Sequence, residues 1–353
     1  MSKKSFDIKA LVRPHILKLK PYSSARDEYT GSKGVFLDAN ENPFGAVTGE
    51  HFHRYPDPLQ KQVKDELAKL KDVAPESIFL GNGSDEAIDL LFRAFCEPGT
   101  DKVLTMPPTY GMYQVSADIN LVEVIQVQLT SNFEINTEAV LQTLKQHNTI
   151  KMLFICSPNN PSGNQIAKQE IEKILQAFEG LVIVDEAYID FAPNASLTTL
   201  LNQYSNLIVL QTFSKAWGMA ALRLGMAFAQ KEIIQILNKI KPPYNINQLT
   251  QEKVLYALSL NHIRKEKVAE ILALKVELGE ALEQLPLVEK VYPSDANFIL
   301  VKVKDAIATY QYLIDKLVIV RDRSRVTLCE NCLRVTVGTK EENQHFLNVL
   351  QKM

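Results

Sequence analysis

No apolar run in the 353-residue chain approaches the ~18 residues that a membrane-spanning helix needs. The opening stretch, MSKKSFDIKALVRPHILKLK, scatters Lys and Asp through what would have to be the apolar centre of a secretion signal. Charge of one sign is not in excess either: 39 Lys and Arg face 41 Asp and Glu, a net charge of −2. A nucleic-acid groove or an anionic membrane surface is therefore not the expected partner. Cysteine is scarce. Four in a chain of this size cannot make a disulfide framework, and Cys96 and Cys156 lie in apolar segments where a reduced, buried thiol is usual. Cys329 and Cys332 form one C-x-x-C, but no second pair completes a zinc site, and packing is the expected role. Internal repeats and low-complexity segments are absent from the sequence. These absences together predict a soluble cytoplasmic protein without a metal centre.

What remains is ordinary globular material, 46% hydrophobic and 23% charged, with length enough for two or three domains. Short apolar runs alternate with amphipathic stretches. The runs are Ile78–Leu80, Lys102–Thr105, Val122–Val127, Met152–Cys156, Leu181–Val184, Leu207–Leu210 and Leu224–Ala229; Asp85–Phe95, Thr137–Gln146 and Lys168–Phe178 carry helical periodicity. That alternation predicts an α/β fold, and continuous runs such as LFIC and LVIV suit strands buried on both faces of a largely parallel sheet. From about Lys231 helix-forming sequence continues to about Leu285, broken at Pro242-Pro243. Further strands are expected near Phe298–Val303, Leu317–Arg321 and Leu333–Val337, followed by a last helix from about Glu341.

In open parallel sheets ligands sit beyond the carboxyl ends of the strands, so residues just after each run are informative. Met152–Cys156 leads into Ser157-Pro158-Asn159-Asn160-Pro161-Ser162-Gly163, Leu181–Val184 into Asp185-Glu186-Ala187-Tyr188, and Leu207–Leu210 into Gln211-Thr212-Phe213-Ser214-Lys215. An amide, a carboxylate, a phenol and an amine reach one edge. Between Leu207 and Gln230 only Lys215 and Arg223 are charged. An amine fixed among apolar residues near a guanidinium loses its proton more readily, as imine chemistry with a carbonyl requires. Taken singly, each residue has a plainer role: Lys215 reaching to solvent, Asp185 capping a helix, Asn160 making a turn, Tyr188 in the core. Gly81-Asn82-Gly83-Ser84-Asp85 follows one run and opens a helix, a place where backbone N–H groups can take a phosphate. The third glycine of a dinucleotide fingerprint is missing, because Glu86 stands there, and no GK[ST] follows.

With Asn160, Asp185, Tyr188, Lys215 and Arg223 in this order, the chain resembles the fold-type I, aspartate-aminotransferase-like enzymes that use pyridoxal phosphate, and within them the histidinol-phosphate aminotransferase family. The strings that carry the likeness run from Asn40-Glu41-Asn42-Pro43-Phe44-Gly45 and Arg54-Tyr55-Pro56-Asp57-Pro58 through RAFCEPGTDKVLTMPPTYGMY, CSPNNPSG, VDEAYIDF and TFSKAWGMAALRLG to LRVTVGT. The resemblance implies a large domain with a mostly parallel seven-stranded sheet and a smaller α+β domain. The corresponding boundaries are an arm over residues 1–30, the large domain over 31–258 and the small one over 259–353. It implies pyridoxal phosphate held covalently by Lys215, which also moves the proton at the substrate α-carbon, with Asp185 on the pyridine nitrogen. Asn160 and Tyr188 would bind the ring oxygen, and Tyr110 would stack on the ring. Ser84 and Asp85, through their backbone, would join Ser214 and Arg223 on the cofactor phosphate. Tyr55 would reach that phosphate from a neighbouring subunit, hence a homodimer with shared sites. Arg334 would bind the substrate's anionic group, and Tyr22 and Arg321 its phosphate.

Two departures are small: Ser162 stands where the family often has Thr, and Ala220-Ala221 where it often has Ala-Gly before Leu-Arg. The implied reaction is amino transfer between L-histidinol phosphate and 2-oxoglutarate. A broad aromatic aminotransferase and a threonine-phosphate decarboxylase share the fold. A non-catalytic sensor would lack the lysine.

Overall fold

The computed structural model describes residues 7–22, 34–192 and 195–353. Seven strands form one sheet: β1 (Ile78–Asn82), β2 (Lys102–Thr105), β3 (Glu123–Gln126), β4 (Ile150–Cys156), β5 (Leu181–Asp185), β6 (Leu207–Thr212) and β7 (Leu224–Phe228), in the order β1-β7-β6-β5-β4-β2-β3. Each lies on one of the expected runs. Pairings from β3 through β6 are parallel, while β7 is antiparallel to both β6 and β1. Two reversals leave β1 running with the parallel set. They also bring the start of β7 to the edge where the other strands end, which is why Arg223 can join residues that follow β4, β5 and β6.

Burial on both faces explains the unbroken apolar runs. Leu153, Ile155, Val182 and Val184 face one core, while Met152, Phe154, Leu181 and Ile183 face another packed under the helix Gly83–Phe95. Every residue of β5 and β6 is buried. Each such aliphatic side chain contributes about 1.5–3 kcal/mol relative to exposure, so this sheet dominates the stability of the fold.

The helical stretch divides into Lys231–Ile240, Gln248–Ser259 and Asn261–Glu283, with the Pro242-Pro243 break between the first two. A second sheet follows, built from β8 (Val288–Val291), β9 (Phe298–Val303), β10 (Arg321–Asp322) and β11 (Cys332–Thr336) in the order β10-β11-β9-β8, antiparallel throughout. The expected strand at Leu317–Arg321 shrinks to Arg321–Asp322: Leu317 ends the preceding helical turn with φ of +59° and stands exposed. Strand β8 was not expected. Its residues are half-buried or exposed at a sheet edge, so no apolar run marks them. The closing helix is Lys340–Leu350, with a capping box between Thr339 and Glu342. A small apolar cluster of Tyr188, Phe191, Ala216, Val268, Ala296 and Phe298 joins the region after β5 to the second sheet.

Among the described residues, no helix is long and apolar enough to cross a membrane, and no group of three or more His, Cys, Asp or Glu could hold a metal. Cys329 and Cys332 are buried and unbridged, and burial pushes their thiols up to about 12 and about 11 respectively, a state with little thiolate at neutral pH.

Candidate active site

A cavity of about 140 Å³ opens at the carboxyl edge of the large sheet. Its wall takes Asp185, Ala187 and Tyr188 from the end of β5, Cys156 and Asn160 from the end of β4, and Thr212, Ser214 and Lys215 from the end of β6. Gly83, Ser84, Asp85, Tyr110, Ala220 and Arg223 complete it. Strand ends that are far apart in sequence thus present an amine, a carboxylate, a phenol and an amide to one small volume.

Asp185 is buried, and burial raises its carboxyl from an ordinary 3.8 to about 6. Two donors oppose that rise: the Tyr113 hydroxyl at 2.9 Å from Oδ2 and the Ala187 backbone N–H at 3.1 Å from Oδ1. They hold the carboxylate in the charged form that would pair with a protonated ring nitrogen. Lys215 shifts the other way. Burial lowers its pKa first, and the Arg334 guanidinium adds to the effect, with Asp185 pulling back. Its Nζ lies 5.6 Å from the Tyr188 ring centroid. Tyr188 is itself buried, its hydroxyl is pushed up to about 12 by burial, and its ring meets Phe298 edge-on at 5.1 Å.

The opposite chemistry gathers at the start of the helix Gly83–Phe95, where the first turn leaves backbone N–H groups unpaired within the helix. Close backbone approach is required here. A Cβ on Gly225 would stand 2.1 Å from the Ser84 nitrogen, and Gly83 takes φ of +74° while its N–H donates to the Arg223 carbonyl at 2.6 Å. Glu86, at the position of the missing third glycine, accepts from the Asn82 backbone N–H and from the Asn245 amide, which locks the turn from below. Arg223, itself left-handed with φ of +52°, places Nη2 3.5 Å from Asp85. The Thr212 hydroxyl donates to Ser214 Oγ at 2.9 Å, fixing that side chain.

The remaining expected residues lie elsewhere. Arg334 Nη1 donates to Asn160 Oδ1, so the second sheet reaches the cavity wall at this residue. Arg321 sits directly across from Arg334 in the β10–β11 ladder, outside the wall. Tyr22 is 71% exposed and borders a separate hollow with Pro58 and Lys241. Tyr55 is 49% exposed and stacks on Tyr244 at 4.6 Å between centroids. Neither tyrosine touches the cavity of its own chain.

Several residues were missed in the sequence. Tyr113 lies in the first turn of the helix Met112–Ile119 while Tyr110 precedes that helix, so no helical spacing marked it, and its contact with Asp185 depends on how the helix packs against the sheet. Thr212 and Gly225 had only the local signals of a strand end and of a glycine in LRLG. Glu186 is buried and faces away, accepting from the Leu197 N–H, Ser196 and Gln211, so it clamps the loop after β5.

The site suits pyridoxal phosphate: an amine that forms no ion pair among the described residues, a buried carboxylate in the same cavity, and a helix start shaped by a glycine whose Cβ would fill it. The chain belongs to the aminotransferase class I and II family, whose sequence pattern matches residues 28–350. It is 56% identical over 347 residues to the histidinol-phosphate aminotransferase of Cytophaga hutchinsonii, with 98% of this chain and 99% of that protein covered. The histidinol-phosphate aminotransferase of Bacteroides fragilis (strain YCH46) is 54% identical, again over 98% and 99%. The crystal structure of histidinol-phosphate aminotransferase from Sinorhizobium meliloti in complex with pyridoxal-5'-phosphate shares the fold, with a TM-score of 0.78 at 22% identity over 89% of each chain.

Proposed function

We propose that this chain is a pyridoxal-phosphate-dependent histidinol-phosphate aminotransferase, which moves an amino group reversibly between L-histidinol phosphate and 2-oxoglutarate in histidine synthesis. The observation that carries the reading is one cavity walled by the Lys215 amine, the Asp185 carboxylate and the Ser84 helix start. When bound, pyridoxal phosphate supplies the electron sink that lets a substrate α-carbon give up its proton.

The chain's own residues do the rest. Lys215, with its proton loosened by burial and by Arg334, would take the α-proton and deliver it to the cofactor carbon, and carry it back in the reverse direction. Asp185, kept charged by Tyr113 and the Ala187 N–H, holds a proton on the pyridine nitrogen. Asn160 and Tyr188 orient the ring oxygen, and Tyr110 covers the ring. The backbone of Ser84 and Asp85 binds the cofactor phosphate together with Ser214 and Arg223. Arg334 takes the substrate's anionic group, while Tyr22 and Arg321 take its phosphate. The position of Tyr55 outside its own cavity favours a homodimer in which Tyr55 serves the neighbouring site. The proposed setting is the cytoplasm. The proposed division is an arm over residues 1–30, a large domain over 31–258 and a small one over 259–353.

The test is kcat/KM for L-histidinol phosphate against L-phenylalanine with 2-oxoglutarate as acceptor. The phosphorylated amine should win clearly, and parity would overturn the assignment.

A further inference from the structure

Strands β10 and β11 pair so that Arg321 lies opposite Arg334 and Asp322 opposite Leu333. The Arg323 N–H continues the ladder to the Cys332 carbonyl at 2.9 Å. Alternation along a strand puts Arg321 and Arg323 on one face, and direct pairing puts Arg334 on that same face. Leu333 and Val335 occupy the other face and are buried in the core of the second sheet. The arginine face is the one turned to the cavity, because Arg334 bonds Asn160 in its wall.

Three guanidiniums therefore share one face, and no carboxylate among the described residues pairs with them. Asp322, the nearest in sequence, alternates to the other face and accepts instead from the Ser324 N–H at 2.8 Å and from the Ser324 hydroxyl. Arg323 Nε is buried and has no hydrogen-bond partner. Buried donors are nearly always paired, and an unpaired one among like charges marks a place for an anion. Burial lowers the Arg323 pKa, with Arg334 and then Arg321 adding to the shift.

We propose that Arg323 is the third arm of the substrate-anion site, donating to the phosphoryl group beside Arg321 and Arg334 and setting the preference for a phosphorylated amine. The inference rests on the function proposed above. A phosphoryl group offers several acceptor oxygens and up to two negative charges, which suits three forks better than a carboxylate does.

The test compares Arg323→Gln and Arg323→Lys with the unaltered holoenzyme, using L-histidinol phosphate, L-histidinol and inorganic phosphate as a competitive inhibitor. One charge-assisted hydrogen bond corresponds to about a tenfold or larger change. The ratio of kcat/KM for the phosphorylated over the unphosphorylated amine should fall by about that factor in Arg323→Gln, mainly through KM. Inhibition by inorganic phosphate should weaken in parallel, and Arg323→Lys should recover part of both. An unchanged ratio, or equal losses on both amines with phosphate inhibition intact, would overturn the role of Arg323. If the unaltered enzyme itself shows no preference for the phosphorylated amine, the functional assignment fails first, and the result is distinguishable because no substitution is involved.

Discussion

The hydroxyl of Tyr113 donates to Oδ2 of Asp185 at 2.9 Å, between two side chains that are both buried. The bond ties the first turn of the helix Met112–Ile119 to the end of β5. Tyr113 also stacks on Phe154 at 4.8 Å and meets Tyr110 edge-on at 5.5 Å, so its ring is held independently of its hydroxyl. The residue that would cover the cofactor ring and the residue that would charge its nitrogen share one support.

Replacing Tyr113 with Phe keeps that stacking and removes one bond that favours the carboxylate. The Asp185 pKa should then rise above its value of about 6. Cofactor affinity, which needs the charged carboxylate, should weaken by about tenfold near neutral pH, and its acid limb should move to higher pH. Absorbance titration of cofactor binding across a pH series measures both. A limb that stays in place would leave Tyr113 with a packing role alone.

Asp185→Asn should separate stability from function. Because the folded pKa is raised from 3.8 to about 6, the favourable contribution of this carboxyl is complete below 3.8 and is lost as pH rises through about 6. The cofactor-free variant should gain stability over the unaltered protein as pH climbs through that window and keep the gain above it. Its transamination rate should fall by about 10²- to 10³-fold. Urea midpoints on both sides of the window, compared with turnover, check the pair of effects, and an advantage confined to acid pH would contradict the sign.

Gly225→Ala tests the phosphate end. The added methyl meets the Ser84 nitrogen at 2.1 Å and the Gly83 carbonyl carbon at 2.2 Å, both backbone atoms that cannot swing aside. Overpacking of this kind costs about 1–3 kcal/mol, so the melting temperature should drop. Cofactor retention on dialysis should fall with it. Gly111→Ala, where an added Cβ meets nothing within 4 Å, should change neither.

The inner strands of the large sheet were readable because they are buried on both faces, so apolar runs and strands coincide, and polar residues at run ends become site residues. Strand β8 offered no such coincidence, being an edge with half-buried residues. The misplaced start of β10 has a similar cause: Leu317 and Ile319 are apolar yet exposed, so hydrophobicity there does not report burial. Asp185 could be picked out from its place after β5. Its partner Tyr113 could not, since that contact spans 72 residues and depends on how a helix packs against the sheet. The placement of Tyr22 and Tyr55 outside the cavity likewise depends on tertiary structure.

The most direct test of the central claim is to load the protein with pyridoxal phosphate, reduce it with borohydride and map the modified peptide by mass spectrometry. The account requires the label on Lys215. Lys64 is the natural rival, since it is buried and its amine is lowered to about 8, chiefly by that burial. Label on Lys64, or on no lysine at all, would contradict the assignment of this cavity.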